Sequence, residues 1–162
     1  MMSLEQQLTG AIYLLLAGLL GAIVGVERER RHKSAGLRTH MLVSMGACLF
    51  SLLSVWAFPN GDPSRVASNI VTGIGFLGAG VIVKNKGAIH DLTTAANIWA
   101  TAAIGMAVGL GAWFLALCGT IIMWTILAVL WRLPVRERPT KYSKRKSIKD
   151  GEAFSTEKAD RQ

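Results

Sequence analysis

The sequence predicts an all-α membrane protein, a bundle of about five transmembrane helices with a glycine-rich central helix. The chain has 162 residues, of which 51% are hydrophobic, and its mean hydropathy is +0.38. Its apolar residues are gathered into long uncharged runs, each of about the length that crosses a bilayer. These observations predict one transmembrane domain over residues 1–131 and a basic tail over 132–162. The predicted spans are 8–26, 41–58, 67–83, 92–110 and 112–131.

The first span is expected to remain in the mature protein. Residues 1–7 contain one acid and no base, and no small-residue cleavage pattern follows, so a signal peptide is not indicated. Within the span Ala17, Gly21 and Gly25 recur every four residues. Small residues at this spacing form a ridge that lets another helix approach closely.

The loop after the first span is short and strongly basic. Glu27 and Arg38 bracket it, and we expect them to meet as an ion pair at the membrane interface. The alternative is a solvated turn whose charges only set the topology. His32 and His40 are eight residues apart with no third ligand type nearby, so no metal site is predicted.

The second and third spans are both rich in small residues. The second has a small, weakly polar face of Ser44, Ala47, Ser51 and Ser54. The third satisfies the dinucleotide-binding pattern G-x-G-x-x-G, but it lacks the flanking strand and the acidic residue that this fold requires. We therefore interpret its glycines as contacts for helices packed against it on several sides. They are Gly73, Gly75, Gly78 and Gly80.

The fourth span carries the strongest polar pattern within a span. Asp91 is predicted to cap its first turn by accepting backbone N–H bonds. Thr94, Asn97 and Thr101 follow at spacings of three and four and so form one polar stripe. Interhelical hydrogen bonding explains such a stripe, while a contact surface or a small hydrated pocket is the functional alternative.

A tight turn at residues 110–112 predicts that spans four and five form an antiparallel hairpin. Cys48 and Cys118 each lie inside a span, where they are expected to pack as small apolar residues rather than to form a disulfide. The tail is expected to bind anionic lipid headgroups through its bases and to be partly disordered.

The lysines and arginines fall almost entirely on one side of the predicted bundle. Of 18 such residues, 17 lie in the first and third loops and the tail, and only Arg65 lies on the other side. The positive-inside rule then places the N-terminus outside and the C-terminus in the cytoplasm. The net charge of +8 is thus a topology signal, and no nucleic-acid partner is predicted.

Four segments together resemble the MgtC/SapB family of membrane proteins: GVERE at 25–29, AGLRTH at 35–40, GIGFLGAGVI at 73–82 and LTTAANIWATAAIG at 92–105. The resemblance covers about residues 8–131. Two departures stand out: a tail too short for the soluble C-terminal domain that many relatives carry, and Asp91 where relatives commonly have glycine.

The resemblance implies a non-enzymatic regulator of the bacterial inner membrane, linked to adaptation to low magnesium and to survival in the host. It implies action by helix contact with other membrane complexes such as the ATP synthase, and no cofactor. The alternative is a channel or transporter for magnesium or protons, although no predicted span carries a charge away from its ends. An enzyme is the weakest reading, and a homo-oligomer stays open. The proposed functional patch is Glu27, Arg38, Thr39, Thr94 and Asn97.

Overall fold

The computed structural model describes residues 2–58, 61–85 and 88–129 and confirms an all-α bundle. The helices are α1 (Leu4–Arg30), α2 (Leu37–Trp56), α3 (Pro63–Val81), α4 (Leu92–Gly109) and α5 (Trp113–Val129). Between α3 and α4 the chain forms a small antiparallel hairpin of β1 (Val83–Asn85) and β2 (Ala88–His90), in register Val83 with His90. Residues 130–162, which include the basic tail, lie outside the described residues.

Three helices, α1, α2 and α4, are long and apolar enough to cross a membrane. Helix α5 is equally apolar but has 17 described residues. Helix α3 has 19 residues, yet polar residues in its first half lower its hydropathy below that of the other three. The helix bounds otherwise follow the five predicted spans closely, with α1 extending beyond its span at both ends.

Helix α2 packs closely against both α1 and α4, and α4 contacts all four other helices. Two glycine pairs allow this close packing, Gly21 and Gly25 on α1 and Gly105 and Gly109 on α4. A Cβ added at Gly21 would lie 2.6 Å from the carbonyl oxygen of His40, and one added at Gly109 would lie 2.6 Å from that of Cys48. Glycine is therefore required where the helix backbones almost touch.

The glycine-rich helix α3 is third in the chain but lies at the edge of the bundle. It packs along α4 with a smaller contact on α2, and only Ile70 and Gly78 are buried. A Cβ at Gly78 would meet Ala95 at ordinary contact distance, whereas one at Gly73, Gly75 or Gly80 would meet no atom of the described residues within 4 Å. In the part of the chain that the structure describes, the prediction that α3 is packed on several sides is therefore wrong.

The turn from α4 to α5 has the predicted tight form. Gly111 has a φ of +78°, which L side chains rarely adopt, and its N–H donates to the carbonyl oxygen of Val108. Helix α5 then runs back along α4 and α1, where Ala116 joins the apolar core. The hairpin of helices expected from the sequence is thus confirmed.

The start of α3 is fixed by Asp62, whose carboxylate accepts the N–H of Ser64 at 2.9 Å. The hydrogen bonds with Ser64, from its side chain and its backbone, lower the pKa of this exposed carboxyl, and nearby Arg65 adds a smaller effect. Since the folded-state pKa is depressed, this cap stabilises the helix at neutral pH. That contribution is lost as the pH falls through the folded-state pKa.

Candidate functional site: a buried polar cluster joining three helices

One end of the bundle contains a cluster of polar side chains shielded from solvent. It forms where the last turn of α1 meets the first turns of α2 and α4. We call it the polar cluster, and its members are Arg28, His40, Asp91, Thr94 and Asn97. Arg28 is 3% exposed, His40 0%, Thr94 1% and Asn97 4%, and Asp91 is half-buried.

Arg28 links α1 to α4 through a chain of two hydrogen bonds. Its Nη2 donates to Thr94 Oγ1 at 2.6 Å, and the Thr94 hydroxyl donates to Asp91 Oδ1 at 2.9 Å. Glu27 and Asp91 supply negative charge near the guanidinium. A buried arginine is costly unless it is hydrogen-bonded and near opposite charge, and this arrangement provides both.

His40 links α2 to α4. Its Nδ1 lies 2.8 Å from the carbonyl oxygen of Gly36, which can only accept, and its Nε2 lies 3.0 Å from Asn97 Nδ2, which can only donate. This pattern assigns the proton to Nδ1 and leaves the imidazole neutral. Within α4 the Thr101 hydroxyl donates to the backbone carbonyl oxygen of Asn97 at 2.8 Å.

Glu29 caps α2 from the preceding helix. Its Oε2 accepts the backbone N–H of Leu37 at 2.9 Å, and a Cβ at Gly36 would overlap this carboxylate. A negative charge at a helix N-terminus is stabilising, and Gly36 itself offers no side chain to form the cap. The segments GVERE and AGLRTH are therefore joined in space as well as by the loop between them.

The predicted pair of Glu27 with Arg38 is not formed. Glu27 makes its salt bridge with Arg31, four residues further on at the C-cap of α1. Because α1 continues to Arg30, a partner four residues away on the same helix is closer than one beyond the loop. Arg38 is exposed and Thr39 half-exposed, so neither belongs to the polar cluster.

The predicted backbone cap by Asp91 is also wrong. Asp91 has a φ of 65°, in the left-handed region, and its side chain makes no cap hydrogen bond to the backbone. Its carboxylate is instead used by Thr94. Glycine adopts this backbone conformation without strain, and aspartate tolerates it better than most residues.

Thr94 and Asn97 therefore lie where the sequence placed a functional patch, whereas Arg28 and His40 were missed. The pattern that could have identified them is the helical periodicity, continued past the ends of the predicted spans. The ridge of Gly21 and Gly25 continues at the next turn to Arg28, and the small face of α2 that contains Ser44 begins one turn earlier at His40. Their polarity instead favours the loop that follows the first predicted span.

Two buried polar atoms, Arg28 Nε and Ser44 Oγ, have no hydrogen-bond partner among the described residues. Chemically, the cluster holds a cation, a carboxylate and a neutral imidazole, each already engaged by a neighbour. In the part of the chain that the structure describes, no three residues of the His, Cys, Asp or Glu type are grouped as metal ligands. The arrangement is suited to holding three helix ends together.

The apolar helices and the polar cluster define a polytopic helical membrane protein. Residues 14–135 match the model of the MgtC family, and the chain belongs to this family. It is 40% identical over 152 residues to YhiD of Escherichia coli strain K12, covering 89% of this chain and 71% of that protein.

Proteins named MgtC are similar over a shorter range. The chain is 50% identical to that of Salmonella typhimurium strain LT2 over 110 residues, which are 68% of this chain and 47% of the relative. It is 44% identical to that of Brucella abortus over 117 residues, 71% of this chain and 49% of the relative. The chain thus spans about half the length of these MgtC proteins. No solved structure matches it.

Proposed function

We propose that this protein is a non-enzymatic regulator in the bacterial inner membrane, with its N-terminus outside and its C-terminus in the cytoplasm. It serves adaptation to low magnesium and survival in the host, and it acts by helix contact with other membrane complexes, of which the ATP synthase is the first candidate. Family membership supports this reading. The tail is proposed to bind anionic lipids.

The observation that carries the proposal is the use of the buried polar groups. Buried Arg28 is engaged by Thr94 and buried His40 by Asn97, and the exposed Glu29 adds a further link by accepting the backbone N–H of Leu37. Each bond joins two different helices, so these groups hold the bundle rather than face an open site. A protein whose polar groups are used internally, and whose remaining surface is apolar helix, is suited to act through contact with neighbours in the membrane.

The core beyond the polar cluster is mostly apolar. Ala17, Leu20, Cys48, Leu52 and Val108 form one packed group with neighbours on α4 and α5. The buried polar residues described outside the cluster carry only hydroxyls: Ser44, Ser51, Ser54, Thr101 and Thr120. Pathways for magnesium or protons usually display charged side chains within the membrane. Among the described residues the buried charge is confined to one end.

The test compares a deletion strain with strains that carry the wild-type gene or the Arg28→Gln and Arg38→Gln variants. The measurements are growth in low magnesium, membrane potential and ATP-synthase activity in membrane vesicles. We expect the deletion to change all three, wild type and Arg38→Gln to restore them, and Arg28→Gln to restore them poorly. A deletion strain with unchanged growth, potential and synthase activity would refute the regulatory role.

Magnesium or proton transport is the second candidate. The Escherichia coli relative is named as a supposed magnesium transporter, and the unpartnered Arg28 Nε and Ser44 Oγ are polar atoms that a hydrated ion or a water could contact. Purified protein in liposomes with a magnesium-sensitive or pH-sensitive dye tests this directly. A selective flux that Asn97→Leu abolishes, while Thr39→Ala leaves it unchanged, would favour transport over regulation.

A further inference from the structure

The side of α3 that faces away from α4 carries an unusual pattern. Asn69, Gly73, Phe76 and Gly80 are spaced four, three and four residues apart and are all exposed. We call these four residues the α3 strip. A 4-3-4 spacing is the repeat by which two helices pack side by side along a shared seam. Phe76 is 82% exposed, more than any other large apolar side chain described.

The α3 strip borders an open groove between α3 and α2. The groove has a volume of about 490 Å³, and apolar side chains such as Phe50 and Ile74 form most of its walls. Asn69 and Gly73 belong to both the strip and the groove. No atom of the described residues lies within 4 Å of a Cβ added at Gly73 or Gly80, so the described part of the chain leaves this surface open to a close neighbour.

From this geometry we infer that the α3 strip is the interface through which two copies of this chain associate, with α3 packed against α3 about a two-fold axis along the membrane normal. Copies inserted in the same orientation bring equivalent residues together on such an axis. The inference neither requires nor excludes the regulatory role, and each can fail alone.

Asn69 is the reason to name a second copy as the occupant. It lies about 9 Å beyond the first residue of α3, exposed on an otherwise apolar groove, with no hydrogen bond described for its side chain. An amide both donates and accepts, so two Asn69 side chains meeting on the axis satisfy each other. A lipid chain offers no such partner, and a foreign helix would need a matching polar group at the same depth.

The glycines of the α3 strip leave space for the side chain of Phe76 from a second copy. In a parallel pair with a 4-3-4 seam, Phe76 of one copy packs beside the surface left free by Gly73 and Gly80 of the other. Self-association by a small-residue seam with one polar residue is a known means of fixing register between membrane helices. Helix α3 was expected to use its glycines inside the chain, and its open side fits the same packing between chains.

The test uses full-length copies labelled with donor and acceptor fluorophores, reconstituted in liposomes over a range of protein-to-lipid ratios. We expect energy transfer that falls on dilution with lipid. Gly73→Leu should raise the protein density at half-maximal transfer by about tenfold or more, and Asn69→Leu by about three- to tenfold.

Gly75→Leu is the matched control. A Cβ at Gly75 also meets nothing within 4 Å, but the residue is about 200° around the helix from Gly73. It should associate like wild type, and thermal unfolding of all three variants should show that each is folded. Equal weakening by Gly73→Leu and Gly75→Leu, or a monomer at every density, would overturn the inference.

Native mass spectrometry of the same proteins distinguishes the other occupants. A monomer that retains a phospholipid, lost in Gly73→Leu but not in Gly75→Leu, would assign the groove to an acyl chain and overturn the second copy. A dimer in wild type and Gly75→Leu, but not in Gly73→Leu, would support it.

Discussion

At the scale of single residues, Arg28 imposes the strongest constraint on the bundle. Its side chain is buried at the end of α1 and donates a hydrogen bond to Thr94 of α4, whose hydroxyl in turn donates to Asp91. Replacing such a group leaves its former partners buried without their hydrogen bond. The loss is expected to exceed that of any exposed base in the same loop.

We predict that Arg28→Gln lowers the free energy of unfolding by about 1–3 kcal/mol, the range for a hydrogen bond that involves a charged group. Arg30 is the control, since it lies two residues away and is exposed. Arg30→Gln should cost less than about 0.5 kcal/mol. Thermal or denaturant unfolding in detergent micelles measures both, and equal losses would show that burial of Arg28 does not matter.

A second prediction concerns the coupling between His40 and Asn97, because their side chains are hydrogen-bonded across the α2–α4 interface. Alanine at both positions should be less damaging than the two single losses added together, with a coupling of about 0.5–2 kcal/mol. The measurement is a double-mutant cycle on the unfolding free energy. Thr39→Ala combined with Asn97→Ala should be additive, since Thr39 is outside the polar cluster. Additivity for His40 and Asn97 would refute their contact.

The patch predicted from the sequence contains two of the five members of the polar cluster. Thr94 and Asn97 were found because polar residues at helical spacing inside an apolar run are conspicuous. Arg28 and His40 were missed because a charged or aromatic polar residue at the end of a span is usually topogenic or interfacial. The pairing of Glu27 also depended on the length of α1, which an apolar pattern does not fix once the helix leaves the membrane.

At the scale of helices, the number of glycines in a helix does not indicate how closely that helix is packed. The chain's densest glycine segment, in α3, makes one ordinary contact at Gly78, whereas Gly21 and Gly105 lie against the backbone of α2. Sequence predicted the role of Gly21 and Gly25 from their spacing. The sequence could not predict where α3 packs. Glycine content shows that another helix can approach closely, but not whether one does.

We therefore predict opposite effects of one substitution at two glycines. Gly105→Ala places a Cβ on the carbonyl oxygen of Ser44 and should prevent stable folding or cost more than about 3 kcal/mol of unfolding free energy. Gly75→Ala adds a methyl group with no described atom within 4 Å, on the side of α3 away from the proposed interface, and should be neutral or stabilise α3 by up to about 1 kcal/mol. Expression level and thermal unfolding in detergent check both. A tolerated Gly105→Ala would contradict the close packing of α4 against α2.

At the scale of the whole molecule, the polar cluster and the basic loops coincide. The last turn of α1 and the first turns of α2 and α4 hold the cluster. Four further bases lie close to it in sequence, in the loop between α1 and α2 or at the adjoining helix ends: Arg30, Arg31, Lys33 and Arg38. A bundle with its charges at one end crosses the membrane in one preferred direction. The orientation of the chain thus decides which compartment the polar cluster borders.

We predict that this end lies in the cytoplasm. Single cysteines at Arg38, beside the polar cluster, and at Asp62, at the opposite end, are suitable probes because both residues are exposed, and the native Cys48 is buried and Cys118 half-buried. In intact cells a membrane-impermeant maleimide should label Asp62→Cys after outer-membrane permeabilisation, and label Arg38→Cys only once the inner membrane is opened. The unsubstituted chain measures the background from Cys118.

The positive-inside rule predicts this result because residues 27–40, around Arg38, carry five lysines and arginines, whereas Arg65 is the single one near Asp62. Labelling of Arg38→Cys in cells with a closed inner membrane would invert the topology and place the polar cluster outside.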